Sequence, residues 1–123
     1  MLACAVALIL LIDVSGSVSP DNLALQRLGI VSALETPQVK KTILNQPGGM
    51  ALAVIEWSGT TRTILPWQHV KTPQDLDVVI QHLQSEPPGL GGVTAMGWAL
   101  QKALEYFDQV PCAAELKIID VSG

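Results

Sequence analysis

The chain begins with an apolar run, Leu2 to Ile12, that meets an acid and a string of hydroxyls in "LIDVSGSVSPDN". A continuous apolar stretch closed by turn residues is the pattern of a strand buried on both faces, and it predicts a first strand over 5–13. At eleven residues the run is too short for a membrane-spanning helix, which needs roughly 20. It also meets Asp13 where a signal peptide would have a small-residue cleavage site.

Ser19-Pro20-Asp21 then marks a helix start: a hydroxyl cap, a proline in the first turn and an acid at the positive end of the dipole. That helix carries Leu23, Leu25, Leu28, Ile30, Val31 and Leu34, breaks near Pro37 and resumes briefly to Leu44. "NQPGG" reads as a turn and "MALAVIEWS" (50–58) as a second buried strand. "RTILPW" (62–67) follows a tight "GTT" connection and predicts an antiparallel edge strand, because Pro66 is tolerated best at an edge. Thr72-Pro73 opens a helix through Leu83, and "SEPPGLGG" is an irregular loop. Thr94 introduces a last helix with Met96, Leu100, Ala103, Leu104 and Phe107 expected on its inner face, and "ELKIIDVSG" is a final strand. Strands alternating with helices predict an α/β domain with a mainly parallel sheet and helices on both faces.

Composition changes this picture little. The 123 residues suffice for one domain, residues 1–123, and nearly half are apolar. A formal net charge of −4 without a basic cluster argues against nucleic acid as a partner.

The chemistry concentrates at the end of the first strand. In an open parallel sheet, ligands collect beyond the carboxyl ends of the strands. Asp13, Ser15 and Ser17 fall there at alternate positions, and Gly16 permits a tight path. One carboxylate with several hydroxyls is a hard, oxygen-only donor set of low charge, suited to Mg²⁺ or Mn²⁺. The ion would stay electrophilic, so a carboxylate from another molecule could complete its shell. Asp13 and Ser15 can also be read as turn residues that satisfy backbone groups. Ser19 and Thr94 both suit helix caps. His69 and His82 lack ligand spacing and read as surface or packing residues, and Trp57, Trp67 and Trp98 as core or rim packing. The "PGLGG" loop lacks the lysine and hydroxyl of a nucleotide-binding P-loop.

Asp13-Val14-Ser15-Gly16-Ser17 resembles the D-x-S-x-S motif of the von Willebrand factor type A (vWA) domain, whose metal ion-dependent adhesion site (MIDAS) joins that motif to a threonine on a later loop. "GGVTAMGWAL" resembles the threonine loop and places Thr94 about eighty residues beyond Asp13. "EWS", "PW" and the closing "IIDVSG" look more narrowly like an uncharacterised bacterial branch of that superfamily. The resemblance implies a vWA-like, Rossmann-like fold and a metal set of Asp13, Ser15, Ser17 and Thr94. It further implies a non-catalytic module that binds a protein bearing an exposed Asp or Glu.

The resemblance also carries departures. The family's fourth strand runs into Asp-Gly, whereas this sequence reaches Gly123, so the resemblance implies a domain cut off at its C-terminus. Asp120 lies too early in its strand to take that aspartate's role. The last strand would then leave an open edge prone to self-association. If the first and last strands are parallel neighbours, as in the family, Cys4 and Cys112 lie near their amino-terminal ends. A disulfide there would place the protein in the periplasm or outside the cell; two buried reduced thiols are the alternative. Two other functions stay open. One is a Mg²⁺-dependent phosphoryl-transfer enzyme of haloacid dehalogenase type, although that chemistry wants a second aspartate where this chain has Ser15. The other is a scaffold with a vestigial metal site.

Overall fold

The computed structural model describes residues 2–14, 19–87 and 96–122. The elements run β1 (Ala3–Asp13), α1 (Pro20–Glu35), α2 (Pro37–Leu44), β2 (Met50–Trp57), β3 (Thr61–Val70), α3 (Pro73–Ser85), α4 (Met96–Tyr106), a 3₁₀ turn (Phe107–Gln109) and β4 (Ala113–Ser122). Among the described residues they build a four-stranded sheet of order β3-β2-β1-β4. β1 is parallel to both β2 and β4, while β3 runs antiparallel to β2 at the edge.

Local chemistry sets the helix boundaries. Ser19 accepts a hydrogen bond from the Asn22 N–H at 3.2 Å and caps α1, and Pro20 occupies the first turn, where its missing N–H costs nothing. Thr36 is the hinge between α1 and α2: its N–H bonds back to the Ala33 carbonyl, and its hydroxyl caps α2. Thr72 and Asp75 form a capping box at α3. The Asp75 carboxylate accepts the backbone N–H groups of Lys71 and Thr72 at 3.0 and 3.1 Å. The Lys71 bond is the main cause that lowers its pKa from the ordinary value.

The turn at 45–49 needs its glycines. Gly48 has φ +74°, and a Cβ there would sit 2.4 Å from the Ala3 carbonyl oxygen, so the backbone passes too close to β1 for a side chain. Pro66 lies within an irregularity of the β2–β3 ladder, between the pairs Leu52↔Gln68 and Val54↔Leu65. An edge strand with a local break in pairing can absorb a residue that donates no hydrogen bond.

The sheet divides the core. One layer joins Ile12, Leu52, Val54 and Ile64 to α1, α2 and α3 through Leu23, Val31, Leu34, Ile43, Leu76, Val79 and Leu83. The other joins Ala7, Ile9, Leu11, Ala51, Ala53 and Trp57 to Ala99 and Ala103 of α4 and to Phe107. Helices therefore cover both faces, as in the vWA fold. The Trp67 indole N–H donates to the Tyr106 carbonyl at 2.8 Å and its ring stacks on Tyr106, fastening the end of α4 to β3.

Two expectations need correction. Leu104 is not on the inner face of α4; it is 61% exposed, while Ala99 and Ala103 are fully buried. The helix lies against the alanine-lined stretch of β1 and β2, and residues at i and i+4 face that surface together. Leu104 is one position on, rotated about 100° away. β1 is also not buried equally on both faces: Ala7, Ile9 and Leu11 are fully buried, whereas Val6, Leu8 and Leu10 are only partly so. Those three, with Ile30, Leu34 and Ile118, line an apolar groove of about 740 Å³ between β1, β4 and the α1–α2 pair.

Candidate metal centre at the carboxyl end of the sheet

Asp13 is the last residue of β1 and is half-buried at the carboxyl end of the central parallel strand. Its position in the register is opposite Trp57, the last residue of β2, and the next N–H, that of Val14, donates to the Trp57 carbonyl at 2.9 Å. The chain therefore leaves β1 firmly hydrogen-bonded up to Val14. Ser19 re-enters the described chain as the α1 cap. Ser15, Ser17 and Thr94, the other three residues of the expected donor set, lie outside the described residues.

Asp120 belongs elsewhere. It pairs with Leu10, so it sits three residues short of the level of Asp13. Because side chains alternate across a strand, that odd offset also directs it to the opposite face of the sheet. Cys4 and Cys112 are joined by a disulfide, with Cα atoms 5.7 Å apart, at the end of the sheet away from Asp13.

Asp13 offers a carboxylate oxygen, a hard donor of the kind Mg²⁺ or Mn²⁺ takes. Among the described residues no three His, Cys, Asp or Glu side chains gather as a metal-binding group. The Trp57 indole N–H is buried and has no acceptor among the described residues. A buried donor of this kind calls for an oxygen nearby, as a carboxylate, hydroxyl or ordered water supplies.

A second polar feature borders this strand end, and only the tertiary structure shows it. Glu56, one residue before Trp57, is the single buried charged side chain among the described residues. The Arg27 guanidinium donates to Glu56 Oε2 at 2.7 Å, and Arg62 Nη1 lies 3.5 Å from Glu56 Oε1. The sequence signal was a lone acid in an otherwise apolar strand; a buried carboxylate requires a cationic partner.

Residues 3–123 match a family described as "Protein of unknown function (DUF1194)". No curated protein matches the chain. Several solved structures share the fold. The PilB minor pilin from Streptococcus sanguinis superposes with a TM-score of 0.72 at 17% identity, over 97% of this chain and 29% of that one. Proximal thread matrix protein 1 from the mussel byssus, with a zinc-occupied MIDAS motif, gives 0.66 at 18% identity over 98% of this chain and 29% of its own. A von Willebrand factor type A protein from Catenulispora acidiphila gives 0.62 at 22% identity over 89% and 24%. The chain thus spans less than a third of the length of each of these three. With a parallel sheet centred on β1, one antiparallel edge strand and helices on both faces, the chain has the vWA fold and belongs to the DUF1194 family.

Proposed function

We propose that this domain is a non-catalytic protein-binding module whose metal site, held by Asp13, Ser15, Ser17 and Thr94, is completed by a carboxylate of the partner. The observation that carries the reading is the placement of Asp13 at the carboxyl end of the central strand, where open parallel sheets bind ligands. The D-x-S-x-S spacing from Asp13 and the vWA fold add to it. So does the zinc-occupied MIDAS motif of the byssus protein.

Asp13 would supply the one formal negative charge, and the three hydroxyls would supply neutral oxygen donors. Mg²⁺ or Mn²⁺ suits such a set, with waters completing an octahedral shell. When bound, the ion supplies an electrophilic centre that the protein neutralises only in part, and that leaves an external Asp or Glu side chain as the complementary ligand. Pilin and pilus-tip proteins among the solved neighbours support a role in protein contacts at a cell surface. The Cys4–Cys112 disulfide supports a periplasmic or secreted location. No helix among the described residues is long and apolar enough to cross a membrane.

Calorimetric titration of Mg²⁺ and Mn²⁺ against the wild type, Asp13→Ala and Thr94→Ala tests the site. Saturable 1:1 binding in the wild type, lost in both variants, is the expected result. Binding that survives Asp13→Ala would falsify the assignment. Mg²⁺-dependent phosphatase turnover abolished by Asp13→Asn would instead establish the phosphoryl-transfer alternative.

A further inference from the structure

We infer that Arg27, Glu56, Arg62 and Glu86 form a positioning clamp that fixes the two points from which the ligand-bearing segments leave the framework. The inference deepens the metal-site reading and, for its effect on the metal, rests on it.

Glu56 is gripped from both sides. From α1, Arg27 Nη2 donates to Glu56 Oε2 at 2.7 Å, while Nη1 donates to the carbonyls of Leu83 and Glu86 at 2.9 and 2.8 Å. From β3, Arg62 pairs with Glu56 at 3.5 Å; its Nη2 donates to Glu86 Oε2 at 2.8 Å and its Nη1 to the Pro87 carbonyl at 2.9 Å. Both arginines therefore bridge the end of β2 to the end of α3 and the two residues after it. His82 stands 3.6 Å from Glu86 Oε1, so the α3 end contributes a further group to the cluster.

This is more than a helix C-cap. A C-terminal turn leaves carbonyls unsatisfied, and one arginine would serve them. Here two arginines from different elements converge on one buried carboxylate, and each also holds the exit of α3. Glu56 is followed by Trp57, whose carbonyl holds the Val14 N–H. Polar contacts thus link Pro87 and Glu86 through Arg62 and Arg27 to Glu56, and the next residue along β2, Trp57, holds the Val14 N–H through its backbone carbonyl. Residues 15–18 depart from Val14, and residues 88–95 from Pro87. The Pro87 carbonyl is held by a charge-assisted bond from Arg62, and Val14 by a backbone bond to the residue beside the clamped Glu56.

The test compares wild type with Arg62→Met, Arg62→Lys and Glu56→Gln, reading Mn²⁺ affinity by calorimetry and hydrogen exchange at the Val14 and Glu86 amides. Arg62 is partly exposed, so its variants fold even where Glu56→Gln, which removes the counter-charge of the largely enclosed Arg27, does not. Arg62→Met should speed exchange at both amides about tenfold, while Ala7 and Ile9 in the middle of β1 are unchanged. It should weaken Mn²⁺ binding by about 10- to 100-fold, as the loss of outer-shell support does at other metal sites. Arg62→Lys should retain most of the affinity. Unchanged exchange at both amides overturns the clamp, and faster exchange with unaltered Mn²⁺ affinity overturns its positioning role. Should the wild type bind no Mn²⁺, the metal reading falls by itself, and the exchange result still decides whether the clamp exists.

Discussion

Individual side chains here do local electrostatic work that can be measured one at a time. Thr72 and Asp75 close a reciprocal capping box on α3, so Thr72→Ala should cost about 1 kcal/mol in chemical denaturation. Asp75 has its pKa depressed, first by the Lys71 N–H. A carboxyl lowered in the folded state stabilises it above the unfolded pKa, and that contribution fades as pH falls through the folded value. The stability gap between wild type and Asp75→Asn should therefore be full at pH 7 and narrow on acidification below about pH 4. Denaturant midpoints across pH 2–7 check this, and a gap that widens in acid would contradict the sign. At this scale the sequence was readable for Ser19 and Thr72, whose capping roles depend on neighbours a few residues away. Glu56 was not readable, because Arg27 lies 29 residues earlier on a helix and Arg62 arrives from the neighbouring strand.

Elements are positioned by which faces can approach closely. The alanine-lined part of β1 and β2 lets α4 settle through Ala99 and Ala103, both fully buried. Ala103→Leu should overpack this contact and destabilise by about 1–3 kcal/mol. Leu104→Ser, on the exposed side, should stay within about 0.5 kcal/mol of wild type. Thermal melts of the two variants distinguish them, and equal losses would return Leu104 to the inner face. Helical periodicity placed the apolar residues of α4 on one broad arc. It could not say which edge of that arc met the sheet, since the choice depends on the sizes of residues on two other strands. Trp98, at the exposed edge of the arc, instead lies under the Lys102 ammonium at 4.4 Å.

For the whole molecule, the crosslink and the open strand edge dominate. The Cys4–Cys112 bond closes a loop of 108 residues, and chain entropy assigns such a loop about 4–5 kcal/mol. Reduction, or the double variant Cys4→Ala/Cys112→Ala, should lower stability by that order. A melting temperature unmoved by reductant, with both thiols then shown to react, would refute it. On the other side, β4 pairs only with β1 among the described residues, and Leu116, Ile118 and Val121 are 53, 38 and 39% exposed. An open strand edge beside an apolar groove recruits further strands. This chain should therefore self-associate with rising concentration in sedimentation velocity, and Ile118→Lys should suppress that association; a monomer at all concentrations would count against it.

What the sequence determined by itself was whatever short-range chemistry encodes: the capped starts of α1 and α3, the break between α1 and α2 at Pro37, the buried run of β2, the edge position of the proline-bearing β3 and the acid at the end of β1. Those signals lie within a few residues of the structures they produce, so one chain read linearly contains them. Ser15 and Ser17 were named on the same local grounds and Thr94 on the family resemblance, and all three lie outside the described residues. Only the tertiary structure decided the two-sided grip of Arg27 and Arg62 on Glu56, the outward turn of Leu104, the half-open face of β1 and the placement of Asp120 on the wrong face. Each depends on which distant segment arrives as a neighbour, and packing and desolvation across the sheet, not spacing along the chain, settle that.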